Sequence, residues 1–244
     1  MIDLKKESLE KINLRKESLE KIILTKKLDN VVARIYLCLD CSGSMENLYK
    51  NNEIQTLIER ILPLAMKFDD DGMLEIMLFS NDAFNLTPVS VDNFYNFVND
   101  KVLNFCTWSG TYYAPFINLV LKEFISENIQ EQPKSLFQKI KNYFKKKEVE
   151  IKEDLGSKTP IYFLCITDGE NSDDFETQVS LRNSENLHIY FQFVGIGTSS
   201  FNSLEKYSTQ FKNVSFFSVK DIKNLTDDQL YNKLLDNFSN LKNN

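Results

Sequence analysis

The sequence predicts an α/β fold, a mostly parallel central sheet with helices on both faces and one short antiparallel edge strand. Three observations carry that prediction. From Val31 onward, short β-branched and aromatic runs alternate with longer stretches of helical period. The runs are apolar at nearly every position, so both faces of each strand are covered, as in a parallel sheet whose crossovers are helices. A short polar-flanked run at 83–86 follows a tight turn at Asn81 and Asp82, which suits antiparallel pairing at an edge.

In chain order, strands are expected at 32–39, 74–79, 161–166, 187–194 and 214–219. Between the first two, Ile54, Leu57, Ile58, Ile61, Leu62, Ala65 and Met66 recur at three and four residues, the period of a helix with one apolar face, which Pro63 should kink. Further helices are expected at 91–102, 112–125 and the C-terminus. There Thr226 to Gln229 form a capping box ahead of Leu230, Leu234, Leu235 and Phe238.

Two segments fall outside this rhythm, so the chain divides into an N-terminal extension, 1–30, and one domain, 31–244. The extension contains KESLEKI twice, at 6–12 and 16–22, a ten-residue repeat that matches no solenoid period. Its composition favours helix, yet Ile22, Ile23 and Leu24 could equally begin a strand. The second segment is a Lys-rich insert at about 127–158, in which Phe137, Ile140 and Phe144 mark an amphipathic helix with a solvated basic face.

Composition removes several functions. The 244 residues carry 29 Lys and Arg against 35 Asp and Glu, and a net charge of −6 argues against a nucleic-acid binder that works through a basic surface. The longest apolar run, 161–166, is far shorter than the ~20 residues of a membrane span. The charged N-terminus lacks an export signal, so a cytoplasmic protein is expected. Four cysteines are too sparse for a disulfide scaffold, and the lone pair Cys38 and Cys41 reads as buried thiols rather than half of a zinc site. The single histidine, His188, lies in a run that reads as a buried strand, and one histidine cannot build a histidine metal cluster or a Ser-His-Asp triad.

The chemistry-bearing residues lie just beyond strand ends, where open parallel sheets bind ligands. The first strand leads into Asp40, Cys41, Ser42, Gly43 and Ser44, a DxSxS pattern whose alternate residues project to one side if the segment is extended. Another strand ends in Thr167, Asp168, Gly169 and Glu170. Ser109, Gly110 and Thr111 precede a helix between them. Oxygen-only donors of this kind suit a hard divalent cation, Mg²⁺ first, with Mn²⁺ or Ca²⁺ as alternatives. Each residue also has a purely structural use, the serines as helix caps and Asp168 as a turn residue. It is the arrival of all of them at one sheet edge that favours a metal site. The run Asp69 to Asp71 before Gly72 lacks the alternating ligands and closing Glu of a calcium loop and reads as a helix-ending turn.

DxSxS after an apolar strand, a distant SGT and a strand ending in TDGEN resemble the metal-ion-dependent adhesion site of von Willebrand factor A-type domains, and most closely their TerF-like branch, associated with tellurite resistance and bacterial stress response. The resemblance rests on LDCSGSM at 39–45, ILPLAMKFDDDG at 61–72, SGTYYAP at 109–115, ITDGENSD at 166–173 and FQFVGIG at 191–197. It implies Ser42 and Ser44 as direct ligands, Thr111 direct or through water, and Asp40 and Asp168 acting chiefly through water or through hydrogen bonds to ligands. The N-terminal repeat is also similar to the amino-terminal segments of tellurite-resistance proteins.

The function expected is therefore a non-enzymatic, cation-dependent protein-binding module whose metal takes an acidic residue from another protein. One alternative is a metal-assisted phosphohydrolase using Asp40. It would lack the second acid two residues later, where Ser42 stands, and would have only Glu170 for proton transfer. The other is a scaffold that binds through the repeat or the Lys-rich insert.

Overall fold

A computed structural model describes residues 2–129 and 159–238. Six strands, β1 Arg34–Asp40, β2 Glu75–Phe79, β3 Ala83–Asn85, β4 Ile161–Thr167, β5 Ile189–Ile196 and β6 Val214–Val219, form one sheet in the order β3-β2-β1-β4-β5-β6. Among the described residues, the β2–β3 edge pair is the one antiparallel pairing of these six strands. The predicted fold class is the observed one.

Each strand feeds two cores because successive side chains point to opposite faces. On β1, Ile35, Leu37 and Leu39 join one buried cluster, and Tyr36 and Cys38 join the other. The first face is covered by α1 Ile2–Lys26, α3 Glu53–Phe68 and α7 Asp227–Leu235; the short α2 Glu46–Lys50 precedes α3. The second is covered by α4 Ala114–Ile129, α5 Asp174–Ser184 and α6 Asn202–Gln210. Burial on both sides of the central strands explains their uninterrupted apolar sequence.

Residues 2–26 resolve the ambiguity of the N-terminus as helix. Ile12, Leu19, Ile22 and Ile23 are buried in the first core. The helix ends at Lys27, which takes φ 56°, with Leu28 N donating to Ile23 O at 2.9 Å, the bond that closes a Schellman turn. α3 runs through Pro63 as one helix. The Glu59 carbonyl that proline leaves without its helical donor accepts from Arg15 Nη1 at 3.3 Å, tying α1 to α3. The C-terminal capping box forms as expected at Thr226 and Gln229.

Other expectations are corrected. The segment 91–102 is not a regular helix: turns lead into a single π-helical stretch, Val98–Val102, followed by a 3-10 turn, Leu103–Phe105. Side chains instead take backbone groups in it and just before it, Phe94 O and Val98 N by the buried Gln55, and Pro88 O and Ser90 N by Asn93. His188 is half-buried in the turn before β5, not inside the strand, because residues 185–188 are still completing the exit from α5. The Asp69–Asp71 run is the helix-ending turn expected. Asp69 accepts from Ile35 N and Asp71 from Met73 N, and Gly72 takes φ +68°. Cys38, Cys41 and Cys165 are buried free thiols and Cys106 is half-buried. The expected amphipathic helix at Phe137, Ile140 and Phe144 lies outside the described residues.

Candidate metal centre

β1 and β4 are neighbours and end together, which sets Asp40 beside Thr167 at the carboxyl edge of the sheet. Asp40 is fully buried. Its Oδ1 accepts from Ser42 N and its Oδ2 from Thr167 Oγ1, each at 2.7 Å. Burial pushes its carboxyl up to about 6, against the pull of these donors from Thr167 and Ser42, and the nearby Asp168 charge adds to the rise. Asp168 is also raised by burial, opposed by its bond from Ser44.

Ser42 and Ser44 meet, but not through an extended strand. Ser42 is extended, and Gly43–Met45 then close a 3-10 turn with Met45 N donating to Ser42 O. The turn brings the hydroxyls of Ser42 and Ser44 to 3.2 Å, and Ser44 Oγ donates to Asp168 Oδ1 at 2.7 Å. Cys41 points inward, as expected, against the hydroxyl of Tyr49, which also donates to Asp40 O at 2.9 Å.

Thr111 arrives on a third loop. Ser109 bridges to Ser42, with Gly43 N donating to Ser109 O at 3.1 Å, and Thr111 O accepts from Ser172 N at 2.9 Å. Among the described residues, no hydrogen bond joins the Thr111 hydroxyl to the other four side chains. Trp108, just before this loop, takes φ 51°, an unusual conformation for a bulky residue, and its ring lies edge-on to Tyr49 at 5.3 Å.

Two further participants, Thr167 of the TDGEN segment and Asn81 of the turn after the second strand, act through long-range bonds that the local sequence does not announce. Thr167 is the last residue of an apolar strand, yet it donates to Asp40. Asn81, in the turn after β2, accepts from Gly110 N at 2.8 Å and so brings a fourth loop to the site. Ser80 extends this contact through a hydroxyl chain, 2.9 Å to Thr107 Oγ1 and 2.9 Å onward to Ser109 Oγ. Glu170 turns to a structural use, accepting from Ser203 N at 3.1 Å at the start of α6.

Comparison with known proteins agrees with this architecture. Residues 32–243 match the model of the vWA-TerF-like family, described as the vWA found in the TerF C terminus. The chain belongs to that family. This vWA domain is 30% identical, over 97% of its chain and 84% of the relative, to the uncharacterized protein YcbR of Bacillus subtilis (strain 168). Among solved structures it is similar in fold to proximal thread matrix protein 1 of the mussel byssus, with a TM-score of 0.53, 14% identity and coverage of 84% of this chain and 48% of that one. The von Willebrand factor type A protein of Catenulispora acidiphila gives a TM-score of 0.53 at 11% identity, over 84% and 42% of the two chains. The TFIIH p34 N-terminal domain gives 0.51 at 13% identity, over 85% and 98%. The vWA chain thus spans about half the length of the first two structures. Domains of the vWA type commonly mediate protein interactions. Among the described residues, no helix is long and apolar enough to cross a membrane.

Proposed function

We propose that this vWA domain is a non-enzymatic, divalent-cation-dependent protein-binding module of the bacterial cytoplasm, working in a tellurite-resistance or stress-response system. Ser42, Ser44 and Asp168 would hold Mg²⁺, with Mn²⁺ or Ca²⁺ as substitutes, and Asp40 and Thr111 would complete the donor set. When bound, the cation supplies an electrophilic centre that takes an acidic side chain from another protein.

One observation carries the reading: two carboxylates and two hydroxyls converge, and among the described residues no basic group pairs with them. Among the described residues, neither Asp40 nor Asp168 forms an ion pair. A buried carboxylate without a counter-charge is costly, and a cation would relieve that cost. The donor spacing also suits the ion. Ligands about 2.1 Å from Mg²⁺ stand about 3 Å apart at adjacent corners of an octahedron, and the two serine hydroxyls are 3.2 Å apart. The engagement of Glu170 at α6 supports binding over catalysis, since Glu170 is the obvious candidate for proton transfer beside the site.

Titration calorimetry with Mg²⁺, Mn²⁺ and Ca²⁺ tests the proposal. Heat of binding is expected from at least one ion, lost in Ser42→Ala/Ser44→Ala and in Asp40→Ala, together with EDTA-sensitive capture of an acidic partner. Silence with all three ions would overturn it.

A further inference from the structure

The loop that carries Thr111 is held almost entirely by groups outside itself. Gly110 N donates to Asn81 Oδ1 at 2.8 Å, and Tyr112 N donates to Ser80 O at 3.0 Å. On the other side, Thr111 O accepts from Ser172 N at 2.9 Å. Tyr113 N and Ala114 N then donate to the two carboxylate oxygens of Asp173 at 2.9 and 2.7 Å. Thr111 therefore sits in a clamp whose jaws are the loops after β2 and β4.

The clamp needs its particular residues. A Cβ at Gly110 would stand 2.9 Å from Asn81 Oδ1 and 2.9 Å from the Tyr112 ring, so only glycine lets Asn81 close on the loop. Asp173 is 7% exposed and cannot swing away, because its Oδ1 also accepts from Asn171 Nδ2 at 2.8 Å and Thr177 Oγ1 at 3.1 Å. The residue preceding α4 is Tyr113, which has no short side chain to cap the helix. The capping carboxylate comes instead from 60 residues away, on the same loop as Asp168.

We infer that Asp173, together with Asn81, is a positioning residue of the candidate metal centre: by capping α4 from the Asp168 loop it sets where Thr111 stands relative to Asp168. The inference rests on the cation-binding reading above. Asp173 does not touch the ion; it acts through the backbone of Tyr113 and Ala114. The role is also distinct from simple helix stabilisation, because a local cap at Tyr113 would hold α4 without joining two loops of the site.

The test is Mn²⁺ calorimetry on the full chain with Asp173→Asn, Thr111→Ala and the double variant, at a temperature well below each midpoint of unfolding, with amide exchange followed at Tyr113 and Ala114. Asp173→Asn keeps the side chain's size but gives up one of the two acceptors. It should weaken Mn²⁺ binding roughly tenfold or more and speed exchange of those two amides. The double variant should bind no more weakly than Thr111→Ala alone, since both changes act at one place. Should Asp173→Asn fold poorly, Asn81→Ala loosens the opposite jaw and should show the same non-additivity with Thr111→Ala. A lowered midpoint with wild-type Mn²⁺ affinity, or additive losses in the double variant, would overturn the positioning role while the metal site stands. A wild-type chain that takes up none of the three cations would overturn both.

Discussion

Ser44 donates its hydroxyl to Asp168 Oδ1 at 2.7 Å, joining two strand-end loops that lie 124 residues apart in sequence. Ser44 is exposed, so the bond competes with water and contributes about 1 kcal/mol of stability or less. In the proposed metal site its use would be to hold a hydroxyl and a carboxylate at ligand spacing. Ser44→Ala should therefore leave the urea midpoint nearly unchanged and lower Mn²⁺ affinity by roughly 10–100-fold, read by calorimetry and denaturation on one preparation. A large loss of stability with intact affinity would assign the pair to the fold instead.

Behind the site, Tyr49 braces the end of β1. Its buried hydroxyl donates to Asp40 O at 2.9 Å and lies 3.3 Å from Cys41 Sγ. Tyr49→Phe keeps the ring against Trp108 but strips a buried carbonyl of its donor, which should cost about 1–3 kcal/mol in urea unfolding. An unchanged midpoint would mean that another donor reaches the Asp40 carbonyl.

What could be seen in the sequence, and what could not, divides along the range of the interactions. Asp40, Ser42, Ser44 and Asp168 stand out because polar oxygen donors interrupt long apolar runs at strand ends. Thr167 and Asp173 fall inside the ITDGENSD segment and Asn81 in the tight turn after the second strand, but their roles do not show there, because they lie in bonds to residues tens of positions away. The same limit explains 91–102. Its buried Phe94, Val98 and Val102 have helical spacing, but the carbonyl and amide that a helix would pair internally are claimed by Gln55 of α3. At the N-terminus, Ile22, Ile23 and Leu24 are locally compatible with strand. Helix wins because it buries Ile22 and Ile23 while leaving Leu24 68% exposed, a division between neighbours that only packing against a fixed partner decides.

That packing leads to a prediction about α1. Leu19 is 1% exposed and belongs to the same core cluster as Ile58 of α3 and Leu230 of α7. Leu19→Ala should cost about 2–5 kcal/mol and shift one cooperative unfolding transition, whereas Leu14→Ala, at a site 64% exposed, should stay within about 0.5 kcal/mol. A separate early transition in Leu19→Ala would instead mark α1 as an appendage that melts by itself. The burial of Ile12, Leu19 and Ile22 also limits what the repeat could offer a partner, since its apolar side already faces the domain.

Acidity supplies the last prediction, at the base of the sheet. Asp69 accepts from Ile35 N at 3.2 Å. Burial pushes its carboxyl up to about 6; the Ile35 amide pulls the other way, and the charges of Asp71 and Asp70 add to the rise. In the unfolded chain an aspartate titrates near ~3.9. Between roughly pH 4 and 6 the folded protein therefore holds this proton more tightly than the unfolded chain does, so the group's favourable contribution is complete below about pH 4 and is lost as the pH rises through about 6. Asp69→Asn retains an acceptor for Ile35 N and removes the charge. The variant should accordingly be the more stable protein at pH 7, with its advantage shrinking toward zero as the pH is lowered to about 4, measured as the difference in urea midpoints in EDTA. A difference that stayed constant with pH, or that favoured aspartate at pH 7, would show that the folded protein stabilises the charge at Asp69 rather than opposing it.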